Sequence, residues 1–261
     1  MKQTKKYNVI GVMTGTSMDG IDLSFARTDG KKYFKLINEK NYSYKINLQN
    51  KLKQIIKNKP KNSQKSQQYF DKFQNEITNI YIFYIKKFIN SFNLKIKNID
   101  MIGLSGQTMF HNPEKKMSIQ LGLGKQISEY FKINVISDFR NNDIKNGGQG
   151  APIGSYYHKY LLKKINTNAI IINLGGICNF SKIFKNKILS SDIGPANSLS
   201  DDISYNFFKK KYDYNGIYAH KGKPNFNIIK KFKSDKIFKK KYPFSLDRNY
   251  FTFYYKLLKK I

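Results

Sequence analysis

Residues 11–22, Gly-Val-Met-Thr-Gly-Thr-Ser-Met-Asp-Gly-Ile-Asp, crowd glycines, hydroxyls and two carboxylates into one short stretch. A glycine-rich turn lets backbone N–H groups converge on an anion without obstruction by Cβ atoms, so this stretch can cradle phosphate. It is not a P-loop: no lysine follows Gly20, and the next segment has the look of a strand, not a helix. The same residues also suit an ordinary hairpin with a glycine-rich loop. Arg140 stands out for a different reason. Only Arg27, Arg140 and Arg248 are arginines among 48 basic residues, so an arginine here points to a need for a planar, forked donor. His111 and His158 have no companions at metal-ligand spacing, which argues against zinc.

The flanks of the first stretch are short and rich in β-branched and aromatic residues, at 7–12 and 21–26, and read as strand, turn, strand. A third strand is expected over 32–44. Residues 63–90 then place Phe70, Phe73, Ile77, Ile80, Tyr81, Tyr84 and Phe88 at steps of three and four, predicting one long packing helix with Ser63 as its cap. A buried strand at 99–104 runs into a polar loop, 105–113. A short strand at 117–121, a helix at 124–131 and a strand at 133–137 complete a first domain, 1–137. Ligands collect at strand ends in such sheets, and the polar loops fall there.

A second domain, 138–261, opens with Asp138-Phe-Arg140 and the turn Asn146-Gly-Gly-Gln-Gly-Ala-Pro152. A helix over 154–164, a strand over 169–173, a glycine turn with strands over 174–183, a strand over 187–192 and a helix to about 210 follow. This repeats the first domain in outline: two strands about a glycine turn, a third strand, then a helix. Beyond 211 the chain is lysine-rich, with helical patches at 226–232 and 249–259.

Composition narrows the function classes. The 40% hydrophobic content, 15% of the chain being aromatic, is ample for a core. A single cysteine, Cys178, excludes an internal disulfide and fits the reducing cytoplasm. The apolar run after the basic N-terminus, 9–13, is too short for a signal peptide, and no uncharged apolar stretch reaches membrane-spanning length. The formal charge of +31 invites a nucleic-acid partner. Lysines scattered through every segment, with abundant Asn, Ile, Tyr and Phe and few alanines, are equally the mark of AT-rich codons. Base readout and phosphate clamping favour arginine, so no specific nucleic-acid partner and no membrane are expected.

The glycine-rich opening resembles the signature of the anhydro-N-acetylmuramic acid kinase family. Ser105-Gly-Gln-Thr-Met-Phe-His111, Asp138-Phe-Arg140, Gly147-Gly-Gln-Gly-Ala-Pro152, Asn173-Leu-Gly-Gly176 and Asp192-Ile-Gly-Pro-Ala-Asn197 are similar to further blocks of that family, in its order. Tyr242-Pro-Phe-Ser-Leu-Asp-Arg-Asn-Tyr-Phe251 resembles a later segment. The resemblance implies an α/β, two-lobed ribonuclease H-like fold of the actin and hexokinase type, with mixed sheets. It implies ATP as phosphoryl donor and a cytoplasmic role in recycling cell-wall fragments. The reaction phosphorylates the sugar's 6-oxygen while water opens the 1,6-anhydro bridge, giving N-acetylmuramic acid 6-phosphate.

In site terms, the resemblance makes Asp192 the catalytic base that takes a proton from the attacking water, the alternative being a structural aspartate that ends its strand. Nucleotide contacts are expected from Gly15, Thr16, Ser17, Met18, Asp19, Gly20, Ile21 and Asp22, and from Gly175, Gly176, Gly194 and Asn197. Gln107, Arg140, Gln149 and Asn173 are expected to read the sugar, Arg140 suiting its lactyl carboxylate or a nearby acid. As an alternative, Gln107, Gln149 and Asn173 each simply stabilise their loops. Asp19 or Asp22 would hold Mg²⁺ through waters; as an alternative, each caps its own turn. A homodimer is in keeping with the family.

The chain departs from the family at Ser105, usually His, and at Ala196, usually Gly. A positive φ at Ala196 would cost on the order of 1 kcal/mol. Family members continue with a threonine- and alanine-rich helix, a Gly-Gly-Gly turn and an acidic sugar contact, none of them present here. The second lobe is therefore expected to be incomplete, with an unpaired sheet edge and uncovered apolar faces. Two rival readings follow: an inactive remnant of such a kinase, and a basic nucleic-acid-binding protein.

Overall fold

The computed structural model describes residues 4–15, 17–61, 63–165, 168–246, 248–251 and 254, without the side chains of Ser63, Gln64, Arg248 and Asn249. By internal contacts the chain divides into two compact units, Met1–Gly150 and Ala151–Ile261. It is an α/β protein.

The first unit is built on a five-stranded mixed sheet. Its strands are β1 (Tyr7–Met13), β2 (Gly20–Thr28), β3 (Phe34–Ser43), β4 (Met101–Leu104) and β7 (Asn134–Ile136), in the order β3-β2-β1-β4-β7. β1, β2 and β3 form an antiparallel meander, and β4 and β7 add in parallel on the other side of β1. Parallel neighbours need crossovers. The first is α1 (Ile46–Lys57), α2 (Ser63–Asp71) and α3 (Gln74–Ser91). The second is the hairpin β5 (Gln107–Asn112) and β6 (Met117–Leu121), followed by α4 (Gly124–Phe131). Ile10, Ile21, Leu23, Ile102 and Leu104 of the sheet meet Phe70, Tyr81, Ile85 and Phe88 of the helices in one core. Burying each such side chain fully stabilises by roughly 1.5–3 kcal/mol.

Three sequence expectations need correction here. The apolar stripe of 63–90 spans two helices, because Phe73 N donates to Phe70 O at 2.9 Å, three residues back. That tighter turn breaks the α ladder while leaving the stripe nearly in phase, so periodicity does not register it. The loop expected at 105–113 contains β5, whose inward face is Gln107, Met109 and His111. Two polar residues of three hide the alternation. α1 and α5 (Phe139–Lys145) have no counterpart in the sequence reading. α5 packs near the sheet, with Phe139 3.7 Å from the position of a Cβ on Gly103. Residues 138–150 accordingly go with the first unit, whereas sequence grouping began the second domain at Asp138. The cap assigned to the Ser63 side chain lies outside the described residues.

The second unit has α6 (Ser155–Ile165) and an antiparallel sheet β10-β9-β8, made of β8 (Ile170–Leu174), β9 (Ile177–Phe184) and β10 (Lys187–Pro195). α7 (Asn197–Phe208), α8 (Ile217–Lys221) and α9 (Phe226–Lys233) follow. The meander and its trailing helix repeat the plan of the first unit. A smaller core gathers Ile237, Phe244, Phe251 and Tyr254. Among the described residues β8 has no strand on its outer side, and Ile170, Ile172 and Leu174 are 57%, 59% and 64% exposed. In the first unit the matching side of β1 is taken by β4. Of the helix expected at 249–259, most lies outside the described residues.

Candidate functional site

Candidate residues gather in two places, one in each unit. In the first unit the turn between β1 and β2 is clamped by the loop between β4 and β5. Thr14 N donates to Ser105 Oγ at 3.2 Å, and Thr14 Oγ1 donates to Gly106 O at 2.9 Å. Gln107 Nε2 donates to Gly15 O at 3.0 Å. Gly106 has φ +69, and a Cβ on it would come within 2.9 Å of Leu121 O, so the clamp requires glycine there. The turn itself closes through Met18 N donating to Gly15 O at 3.2 Å, with Met18 at φ +56. Ser17 Oγ donates to Asp19 Oδ1 at 2.6 Å. Asp22 Oδ1 accepts from Asn41 Nδ2 at 2.7 Å.

This geometry refines the expected nucleotide set. Ile21 is fully buried and Met18 is 5% exposed, so both side chains belong to the core. Asp22 pairs with Met13 on one side and Asn41 on the other, within the sheet ladder. Thr14 N and Met18 N are already spent on Ser105 Oγ and Gly15 O, so among the described residues the amides of Gly15, Ser17 and Asp19 are the ones this turn can present to an anion. Thr16 lies outside the described residues. Gln107, expected at the sugar, has its amide N–H on the turn and is 1% exposed. Ser105, where the family usually has His, supplies the other support.

No group of three or more His, Cys, Asp or Glu side chains able to hold a metal occurs among the described residues. Mg²⁺ keeps several waters and takes one or two carboxylates together with substrate phosphates. Two exposed carboxylates, Asp19 in the turn and Asp22 in β2, fit an ion arriving with phosphates better than a resident one.

Beside this turn, at the carboxyl ends of β4 and β7, lies a cavity of about 160 Å³ lined by Ser105, Gly106, Ser118, Gln120, Ser137 and Asp138, among others. Open α/β sheets hold ligands at such ends. Asp138 is in the left-handed region, and Asn141 Nδ2 donates to its Oδ1 at 2.6 Å. Gln120 and Asn141 were not singled out from sequence; isolated amides in a lysine- and asparagine-rich chain carry no signal. Arg140 lies half-buried on α5, and Gln149 half-buried in the turn that Asp143 Oδ2 ties by accepting from Gly150 N at 2.7 Å.

In the second unit the β8–β9 turn meets the start of α7. Asn197 N donates to Gly175 O at 3.0 Å, Ser198 Oγ to Gly176 O at 2.7 Å, and Asn197 Nδ2 to Leu174 O at 2.7 Å. Gly175, Gly176 and Asn197 are therefore one cluster. Asn173 is exposed on β8, opposite Asn179. Ala196 has φ −133, so the positive φ considered for it does not occur.

Asp192 is 6% exposed, near the end of β10 and just before a bulge at Gly194. Its Oδ2 accepts from Leu246 N at 2.7 Å. Burial, and then the charge of Asp192, push the Cys178 thiol up. His158 Nδ1 lies 2.8 Å from Ser181 Oγ, itself 2.7 Å from Ser190 Oγ, and burial pushes the imidazole below 6.5. Ser181 is fully buried, so the row pins α6 to the sheet.

Residues 7–261 match the family profile described as anhydro-N-acetylmuramic acid kinase. A protein of that name from Pelagibacter ubique is 35% identical over 237 residues, 86% of this chain and 61% of the relative. Another from Zymomonas mobilis is 32% identical over 93% of this chain and 68% of its own length. A third, from Sulfurimonas denitrificans, is 33% identical over 93% and 64%. The chain thus spans 61–68% of the length of these relatives. Among solved structures, a reductive activator for a corrinoid, iron-sulfur protein aligns at 14% identity over 77% of this chain and 33% of its own, with a TM-score of 0.36, too slight a likeness to carry an argument.

Proposed function

Because this chain belongs to the anhydro-N-acetylmuramic acid kinase family, we propose that it phosphorylates 1,6-anhydro-N-acetylmuramic acid with ATP and water, giving N-acetylmuramic acid 6-phosphate and ADP. Water adds to the anomeric carbon, the bond from that carbon to the 6-oxygen breaks, and the freed oxygen takes the γ-phosphoryl group. Asp192 takes the proton from the water. The observation that carries this reading is Asp192 itself: a nearly buried carboxylate held by a main-chain N–H beside a glycine turn and a helix start. A base must be fixed within hydrogen-bond reach of the proton it removes.

Phosphoryl transfer is achieved mostly by positioning and charge stabilisation. The amides of Gly15, Ser17 and Asp19 receive the phosphates, with the family's glycine turn at Gly175 and Gly176, Gly194 and Asn197 as further nucleotide contacts. Asp19 and Asp22 would hold a hydrated Mg²⁺, which would neutralise phosphate charge. Arg140, Gln149 and Asn173 contact the sugar, Arg140 through the lactyl carboxylate. Gln107 supports the phosphate turn. Each unit is one lobe of a ribonuclease H-like, actin/hexokinase-type fold, and the protein acts in the cytoplasm as a homodimer. No helix among the described residues is long and apolar enough to cross a membrane.

The test is ADP release by the purified protein with the anhydro-sugar. Asp192→Asn is expected to lower kcat by about 10²- to 10⁴-fold, with both KM values held. A well-folded chain with no turnover would instead favour an inactive remnant. Sequence-preferring DNA binding that survives physiological salt would favour the nucleic-acid reading.

A further inference from the structure

The carboxylate of Asp192 is held by a segment more than fifty residues along the chain. The hub is Ser191, fully buried in the middle of β10. Its hydroxyl accepts from Phe244 N at 2.9 Å, and its single proton faces Asp192 O at 2.9 Å and Phe244 O at 3.1 Å. Phe244 O also accepts from Asp192 N at 3.0 Å. Two residues further, Leu246 N donates to Asp192 Oδ2 at 2.7 Å. The main chain of 244–246 therefore runs beside 191–192 and ends on the carboxylate.

Packing keeps that segment in place. Phe244 is 6% exposed and lies in the core with Ile237, Phe251 and Tyr254. Its ring stacks on Tyr242 at 5.4 Å and 15°, and Tyr242 meets Phe180 edge-on at 5.1 Å. Apolar contacts alone fix a ring without fixing the register of the chain beyond it. The Ser191 hydroxyl fixes the register by gripping both polar groups of the Phe244 peptide, and the register aims Leu246 N at Asp192. A hydrogen bond to a charged carboxylate is short, strong and directional.

We propose, resting on the kinase reading, that Ser191 and the main chain of 244–246 form a clasp that orients Asp192, making Ser191 a positioning residue for the proton-transfer step. Ser191 reaches no substrate; it acts through Phe244 and Leu246. A misplacement of the reacting group by about 1 Å costs on the order of 10²-fold in rate, so loosening the clasp acts on kcat and leaves ground-state binding alone.

The experiment compares Ser191→Ala, Ser191→Thr and, as a control in the same small core, Ile237→Val. Two measurements are made: amide hydrogen exchange at Phe244 and Leu246, and steady-state kinetics with ATP and the anhydro-sugar. In Ser191→Ala both amides should exchange about tenfold faster or more, and kcat should fall about 10- to 100-fold with each KM within about twofold. Ser191→Thr, which keeps the hydroxyl, should restore kcat to within about threefold. Ile237→Val should lower the melting temperature and leave kcat unchanged. Unchanged exchange in Ser191→Ala overturns the clasp. Faster exchange with unchanged kcat, or an equal kcat loss in Ile237→Val, overturns the positioning role. If the unaltered protein shows no turnover, the kinase reading fails by itself, and the exchange result still decides whether the clasp exists.

Discussion

Gln107 shows how one residue type suits two roles until the chain has folded. A glutamine in a polar motif suits a hydroxyl or amide of a ligand, yet its N–H is on Gly15 O, inside the turn's own support. Gln107→Ala should therefore cost roughly 1–3 kcal/mol of stability, the usual effect of removing one partner of a buried hydrogen bond. It should also raise the KM for ATP more than it lowers kcat, in urea unfolding and steady-state assays respectively. His158 gives a pH dependence with a definite sign. Its folded pKa lies below the 6.5 of an unperturbed imidazole because of burial. Below about pH 6.5 the unfolded chain binds a proton that the folded chain resists. Stability is complete above that value and declines as pH falls through the depressed folded value. His158→Gln should flatten this decline in urea midpoints measured between pH 7.5 and 5.

At the scale of elements, side chains at the start of α3 tie it to the segment after β6. Thr78 Oγ1 donates to Gln74 O at 2.6 Å and accepts from Leu123 N at 2.9 Å, and Gly122 N donates to Gln74 Oε1 at 2.8 Å. Thr78→Val keeps the shape and strands a buried N–H, so a loss of roughly 1–3 kcal/mol is expected in thermal or denaturant unfolding. These bonds join residues some 45 positions apart, and no local pattern announces them. Strands with apolar alternation, β1, β2 and β6, and the amphipathic α4 were legible within a residue or two, because their periodicity is a property of neighbours in sequence. β5 was not, since its buried face uses Gln107 and His111, whose hydrogen bonds exist only once β6 and the β1–β2 turn are in place. Likewise, Ser191 carries no signal until Phe244 lies against it.

For the molecule as a whole, charge is the dominant physical property. A formal charge of +31 is met, among the described residues, by two exposed ion pairs, Lys51–Glu76 and Lys125–Glu129. Exposed pairs contribute about 0–1 kcal/mol each, so self-repulsion is largely unrelieved in the folded state. Raising salt from about 0.01 to 0.15 M shortens the screening length from about 30 to 8 Å. The melting temperature should rise with it, by about 2–4 °C per kcal/mol recovered. A temperature that stays level or falls over that range would show that the lysines are already neutralised by a bound polyanion.

Composition, the glycine turns and the spacing of apolar residues were enough to indicate an α/β chain and its strand–turn–strand openings, and the resemblance of its ordered motifs pointed to its family. Those features depend on side-chain type and on neighbours a few positions away, which a linear chain displays directly. The placement of Ile21 and Met18 in the core, the support of Gly15 by Gln107, the negative φ at Ala196 and the hold of Leu246 on Asp192 had to await folding. Each depends on hydrogen bonds or packing between segments remote in the chain, and burial and orientation come into being only when those segments meet.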